Sequence, residues 1–266
     1  MLDGLRVEPG SPARIAERDT DDDFGLEKRQ GEKRLEGLVE RIDELQYRLH
    51  AEDRRGVLLV LQGLDASGKD GVIRRVFDGV NPLGITVTSF KVPAGAETEH
   101  DYLWRIHAAL PPRGSIGVFN RSHYEDVVAV RMRELAPPDV WQRRYEHIRE
   151  FERMLVDEGT TVLKVFLNVS REEQRRRFQE RIDDPEKRWK FRRDDLEVRK
   201  RFDEWVAAWN DAVTETSTEW APWHVVPADR NWVKALVVAE LVARTLERLD
   251  PQLPDPEPGL EGMQIT

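Results

Sequence analysis

The side chains best suited to chemistry lie in "LLVLQGLDASGKDG", Leu58 to Gly71. Gly63, Gly68 and Lys69 follow the spacing Gly-x4-Gly-Lys, which builds a loop whose backbone N–H groups converge on one anion. Ala66, Ser67, Asp70 and Gly71 belong to the same phosphate-facing stretch, and Lys69 adds a point charge to bridge phosphoryl oxygens. The position after the lysine ordinarily carries a hydroxyl that holds magnesium. Here it is Asp70, which would repel phosphate unless it turned aside to a neighbouring loop, met a cation, or served the helix start. Asp65, inside the loop, is the better-placed metal ligand: a hard carboxylate beside phosphate oxygens suits octahedral magnesium, with manganese as a substitute. Its alternative role is to close the loop through local backbone hydrogen bonds.

A second group follows the strand-like "SIGVF" in "NRSHYEDVVAVRM". The carboxyl end of a parallel strand is where an α/β protein gathers its site groups. Asn120 and Arg121 would face the phosphates, and Glu125 and Asp126 offer carboxylates one helical turn on. Arg121 could instead pair with Glu125 at i,i+4. Tyr102 and Trp104 either pack the core or stack near an acceptor base, and His100, His107 and His123 are not spaced as a metal site.

A third feature is a reversal of charge. The 266-residue chain has a formal net charge of −9, yet Arg171 to Arg201 holds thirteen basic residues against nine acidic ones. An acidic protein with one basic segment argues against general nucleic-acid binding and for a specific anionic ligand. The outer arginines, such as Arg176 and Arg192, read as a solvated face laced with i,i+4 pairs.

Strands and helices must position these groups. Gly56–Gln62 is a wholly apolar strand, expected in a sheet buried on both faces. Gly84–Phe90, Ser115–Phe119, Thr160–Val169 and Trp223–Ala228 read as further strands. Helical spacing marks Leu26–His50, Asp70–Gly79, Glu97–Ala109, Asp139–Glu158, Arg171–Ile182, a long Asp194–Thr216, and Trp232–Leu249. This alternation predicts an α/β fold with a parallel sheet, in one domain. Residues 1 to 25 read as a loosely held arm and 250 to 266, rich in proline and acid, as a disordered tail. With no cysteine, no signal pattern and no apolar run near membrane-spanning length, a soluble cytoplasmic protein is the expectation.

"GLDASGKDG", "FNRSHYEDV" and "DDPEKRWKF" closely resemble the motifs of the polyphosphate kinase 2 family, and the similarity spans roughly Leu26 to Leu249. Asn120 and the "HYED" ending look most like the branch that phosphorylates nucleoside mono- and diphosphates. The resemblance implies a P-loop kinase-like three-layer fold with a helical lid over about 171–201. It also implies magnesium-dependent, reversible transfer from inorganic polyphosphate to AMP and ADP, with guanine nucleotides as further acceptors, and a homodimer or homotetramer. Asp65, Lys69 and Arg121 would then be the catalytic set. Lys91, Arg177, Arg181, Lys187 and Lys190 would face polyphosphate, and Asn120, Ser122, Tyr124 and Glu125 the nucleotide. Pro185 would give the lid a place to bend. Other branches have aspartate at position 120, so a metal-binding role there is in doubt and the resemblance shifts that load to Asp65, with Glu125 as a second metal ligand. An ATP-dependent nucleotide kinase would share the loop, and a non-catalytic polyphosphate or nucleotide sensor would share the basic segment.

Overall fold

The apolar stretch expected as a central strand is buried along its whole length: Gly56–Gly63, β1, lies in the middle of a parallel sheet. This computed structural model describes residues 2–260 and 262–265. The other strands are β2 (Ile85–Ser89), β3 (Ile116–Asn120), β4 (Thr160–Asn168) and β5 (Trp223–Pro227), and among the described residues the sheet order is β2-β3-β1-β4-β5. Register places Leu61 beside Asn120 and Gly63 beside Leu167. The segments that leave β1, β3 and β4 therefore emerge together at one edge of the sheet.

The helices are α1 (Lys28–Glu52), α2 (Lys69–Val76), α3 (Trp104–Ala108), α4 (Glu125–Met132), α5 (Pro138–Asp157), α6 (Arg171–Asp183), α7 (Asp194–Lys200), α8 (Phe202–Thr216) and α9 (Asn231–Leu249). α1, α2 and α9 pack together as one layer, and α4, α5 and α8 as the other. α9 is buried almost throughout, which matches its near-continuous apolar sequence. Gly31 lets α1 approach it: a Cβ there would fall 2.2 Å from Cζ3 of Trp232. No helix among the described residues is long and apolar enough to cross a membrane.

Three expectations change. The long helix over Asp194–Thr216 is two helices, α7 and α8, parted at Arg201. Arg201 donates to the Met132 carbonyl at 2.8 Å and Phe202 turns into the core, so α8 is tied to α4 while α7 runs over the surface. The helix over Glu97–Ala109 shrinks to a turn at Gly95–Thr98 followed by α3. Between them the Asp101 carboxylate accepts from the Leu103 N–H at 2.9 Å, a local side-chain turn that competes with helix.

The third change is the arm. Leu5, Val7, Ala13 and Ile15 are buried. The Val7 N–H donates to the Trp223 carbonyl at 2.8 Å and the Val225 N–H to the Leu5 carbonyl at 2.9 Å, an antiparallel bridge along β5. Arg230 pairs with Asp21 at 2.7 Å and Asp23 at 2.6 Å. Two of the four acids of "DTDDD" are thus paired with the domain, while Asp19 and Asp22 accept from N–H groups of the arm itself. At the other end Pro251 is buried, and residues 252–260 and 262–265 are exposed. Met1, Glu261 and Thr266, which the arm and tail expectations include, lie outside the described residues.

Candidate active site

The loop between β1 and α2 has the backbone its sequence requires. Gly68 precedes α2 with φ 99° and Ala66 has φ 65°, both left-handed, and no side chain caps α2. Its first-turn N–H groups are left for an anion. The Ser67 hydroxyl is buried without a hydrogen-bond partner, inside the same loop. Gly71 lies on the first turn with open space where a side chain would stand.

Lys69 is buried and donates to the Gly63 carbonyl at 2.7 Å and the Leu64 carbonyl at 3.4 Å. Burial, aided by the Arg121 charge and opposed by Asp65, Glu125 and Asp70, brings its ammonium down to about 8. Arg121, at φ 63°, lies between two carboxylates: Nη2 donates to Asp65, and Nη1 to Glu125 at 3.3 Å. Glu125 and Asp65 hold this guanidinium above its ordinary value despite burial. Burial would raise the Asp65 carboxyl, but the charges of Arg121, Lys69 and Arg181 outweigh it and keep the group below its ordinary value. Of the two readings of Arg121, the i,i+4 pair with Glu125 exists, and it sets the guanidinium beside Asp65.

Asp70 turns away from the loop. It accepts from Asn120 Nδ2 at 2.7 Å, joining α2 to the end of β3. Asn120 is thereby engaged by a carboxylate.

Among the described residues no group of three or more His, Asp or Glu forms a metal cage. A cation here would be held by Asp65 and Glu125 together with phosphate oxygens. The donor set fits a hard divalent ion, because both carboxylates converge on Arg121 and Asp65 is held ionised.

Several expected contacts prove to be internal. Arg177 does not face a channel. Nη1 donates to the carbonyls of Ala66 at 2.9 Å and Ser67 at 3.0 Å, Nη2 to those of Ala228 and Asp229 at 2.7 Å each, and Nε to Glu173 at 2.7 Å. All its N–H groups are taken by protein. Ser122 is fully buried, its hydroxyl bonded to Gln62 and to the Tyr124 N–H. Tyr124 is also fully buried: its hydroxyl donates to Glu152 at 2.7 Å and accepts from Lys164 at 3.0 Å. Neither can touch a nucleotide, because residues 122–124 turn down into the core before α4 begins. Burial and the Glu152 charge push the Tyr124 hydroxyl well above its ordinary value.

The lid divides. Arg181 lies half-buried on the Phe178 ring, 5.4 Å from its centroid, close enough for its charge to act on Asp65. Lys187 pairs with Asp184 at 2.6 Å, and exposed Lys190 sits 5.2 Å from the Trp189 ring centre. Arg176 pairs with Glu173 and Glu180 as expected of an outer arginine, but Arg192 forms no salt bridge among the described residues. The Lys91 side chain is exposed, and its carbonyl accepts from Arg105 at 2.8 Å.

Sequence reasoning missed Lys234, on α9, whose Nζ reaches the Ser67 carbonyl at 2.7 Å. It also missed a cleft of about 550 Å³ across the 121–126 segment from the loop, lined by Tyr102, Arg105, Asp126, Arg143, Arg144 and His147 among others. Arg105 Nη2 donates to Asp126 at 3.1 Å, and the Arg144 guanidinium lies 4.6 Å from the Tyr102 ring centre. His100, also on its wall, stacks on half-exposed Trp104 at 4.3 Å. The spacing of Arg143, Arg144 and His147 along α5 was the available signal, but its exposed face reads like any charged helix.

An uncapped Gly-x4-Gly-Lys loop at the carboxyl edge of a parallel sheet, with a buried lysine, an arginine between carboxylates and a basic segment beside it, defines a P-loop kinase-like fold. The family model for polyphosphate kinase 2 matches residues 25–254. A Meiothermus ruber protein named AMP/ADP-polyphosphate phosphotransferase is 52% identical over 262 residues, covering 98% of each chain. A Rhodopseudomonas palustris protein named ADP-polyphosphate phosphotransferase is 44% identical over 249 residues, covering 89% of this chain and 86% of its own. The crystal structure of polyphosphate kinase 2 from Arthrobacter aurescens TC1 superposes with a TM-score of 0.93 at 38% identity, over 97% of this chain and 93% of that one. The chain belongs to the polyphosphate kinase 2 family.

Proposed function

We propose that this protein transfers a phosphoryl group from inorganic polyphosphate to AMP and to ADP, reversibly and by direct in-line displacement. The observation that carries the reading is the two-sided site. On one side the amide-lined loop and the free lid cations suit a long polyanion; on the other, across Arg121–Asp126, a cleft with Arg105, Arg143 and Arg144 suits an acceptor phosphate and base. The names of the Meiothermus and Rhodopseudomonas relatives point to the same donor and acceptors.

Phosphoryl transfer asks the protein for alignment and charge neutralisation more than for covalent chemistry. Lys69 and Arg121 would neutralise the transferring group, and the acceptor phosphate oxygen, already ionised, attacks without a base. Asp65 and Glu125 would hold magnesium, which when bound supplies further neutralisation of phosphate charge. Guanine nucleotides would enter the same cleft. The cytoplasm, where these acceptors are made and used, is the working compartment, and a homodimer or homotetramer the working assembly.

The test is purified protein with magnesium, long-chain polyphosphate and AMP, no ATP added, and Lys69→Ala as control. ADP followed by ATP, with a silent control, is the expected result. Product that forms only when ATP is supplied would replace this reading with an ATP-dependent nucleotide kinase.

A further inference from the structure

We propose that Gln174, Arg177 and Lys234 are positioning residues of the phosphate-binding loop: they anchor its carbonyls from behind, so that its N–H groups face the donor phosphates. The proposal rests on the donor site described above and names groups that never touch the donor.

A trans peptide points its N–H and C=O in opposite directions. A loop that turns its amides toward an anion must turn carbonyls the other way, into protein, where each needs a donor. The structure supplies those donors one by one. Gln174 Nε2 donates to the Asp65 carbonyl at 3.0 Å. Arg177 Nη1 takes the Ala66 and Ser67 carbonyls at 2.9 and 3.0 Å, and Lys234 Nζ takes Ser67 again at 2.7 Å. The remaining carbonyls are held from within the loop and α2: Gly63 by Lys69 at 2.7 Å, Leu64 by the Ser67 N–H at 3.0 Å with Lys69 at 3.4 Å, and Gly68 by the Val72 N–H at 3.1 Å. The Lys69 ammonium keeps a third N–H for a phosphoryl oxygen. Gln174, Arg177 and Lys234 have no such second task, so the anchoring dedicated to the Asp65, Ala66 and Ser67 carbonyls comes from α6 and α9.

The fit is close. A Cβ on Gly68 would lie 2.3 Å from Lys234 Nζ, so this glycine is needed for the lysine behind it as well as for its φ of 99°. Arg177 ties the same loop to the β5–α9 connection through Ala228 and Asp229. Asp229 in turn accepts from the Ser170 N–H at 2.8 Å, at the start of α6. The first half of the expected lid is therefore a fixed wall of the donor site, and closing motion has to begin beyond Arg181.

The experiment uses the full chain with Lys234→Met, which keeps length and loses the donor, and Gln174→Leu, the milder change. Melting temperature, calorimetric affinity for tripolyphosphate with magnesium, and kcat and KM for polyphosphate and for AMP are measured. Positioning predicts that tripolyphosphate affinity falls about tenfold and the polyphosphate KM rises alike, the equivalent of one lost buried hydrogen bond, with the AMP KM within about twofold of wild type. A lower melting temperature with both substrate constants unchanged would overturn the proposal and leave a purely structural role. Should Lys234→Met not fold, Gln174→Leu decides by the same readings. Wild-type protein that makes no ADP from polyphosphate would defeat the donor assignment, whereas variants that match an active wild type defeat only the positioning role; tripolyphosphate affinity reads positioning in either case.

Discussion

The first half of the basic segment and its tip have similar composition and opposite fates. In α6, Gln174, Arg177 and Phe178 are buried, and Arg177 has every N–H satisfied by protein. Around Pro185 to Arg193 the chain is exposed, Trp189 by 76%, and Lys190, Arg192 and Arg193 form no salt bridge among the described residues. Charge density marks a segment as anion-directed, but the accounting of donors separates cations that shape a site from cations left for its ligand.

That contrast breaks most directly at Arg177. Arg177→Met strips donors from buried carbonyls and should destabilise the fold by about 3–5 kcal/mol, together with activity, measured by urea unfolding. An unchanged midpoint would dissolve the distinction. Lys69→Ala should show a different split: kcat lower by about a thousandfold, with a smaller loss of stability than Arg177→Met, since only the Gly63 and Leu64 carbonyls lose a donor and a poorly solvated ammonium goes with it. The Lys69 ammonium, lowered to about 8, is charged below that pH and neutral above it. In the free enzyme kcat/KM for polyphosphate should therefore fall by about tenfold per unit above it, and Lys69→Arg should remove that limb.

At the tip, Lys190→Ala, Arg192→Ala and Arg193→Ala combined should leave the melting temperature within about a degree. The polyphosphate KM should rise about tenfold, and its sensitivity to salt should weaken. A large drop in stability would mean the tip is as structural as α6. The smallest effect belongs to Asn120→Asp, which sets two carboxylates against each other where a 2.7 Å hydrogen bond now joins Asn120 to Asp70. Because Asp70 is exposed, kcat/KM should fall only about threefold near neutral pH and recover as the pH is lowered and the pair shares a proton.

The loop, its strand and α2 were legible because their signal is local: glycine at left-handed positions and apolar residues on both faces of β1. Arg177 and Lys234 were not, because they meet the loop across 110 and 167 residues of chain, a separation only folding closes. The same holds for Arg143 and Arg144 beside Tyr102. Ser122 and Tyr124 sat in the right motif, but sequence alone did not show the chain diving into the core after Arg121. Arg201 carries neither proline nor glycine, so the break between α7 and α8 left no mark.

The antiparallel bridge from Leu5 and Val7 to β5 also works against self-association. β5 ends the sheet, and without Leu5–Val7 its outer N–H and C=O groups would form an open template for another chain. The N-terminal residues are thus a guard strip along that border. A version of the protein cut before Ser11 would keep the loop between β1 and α2 and lose the cover, and it is expected to clump through strand-to-strand addition.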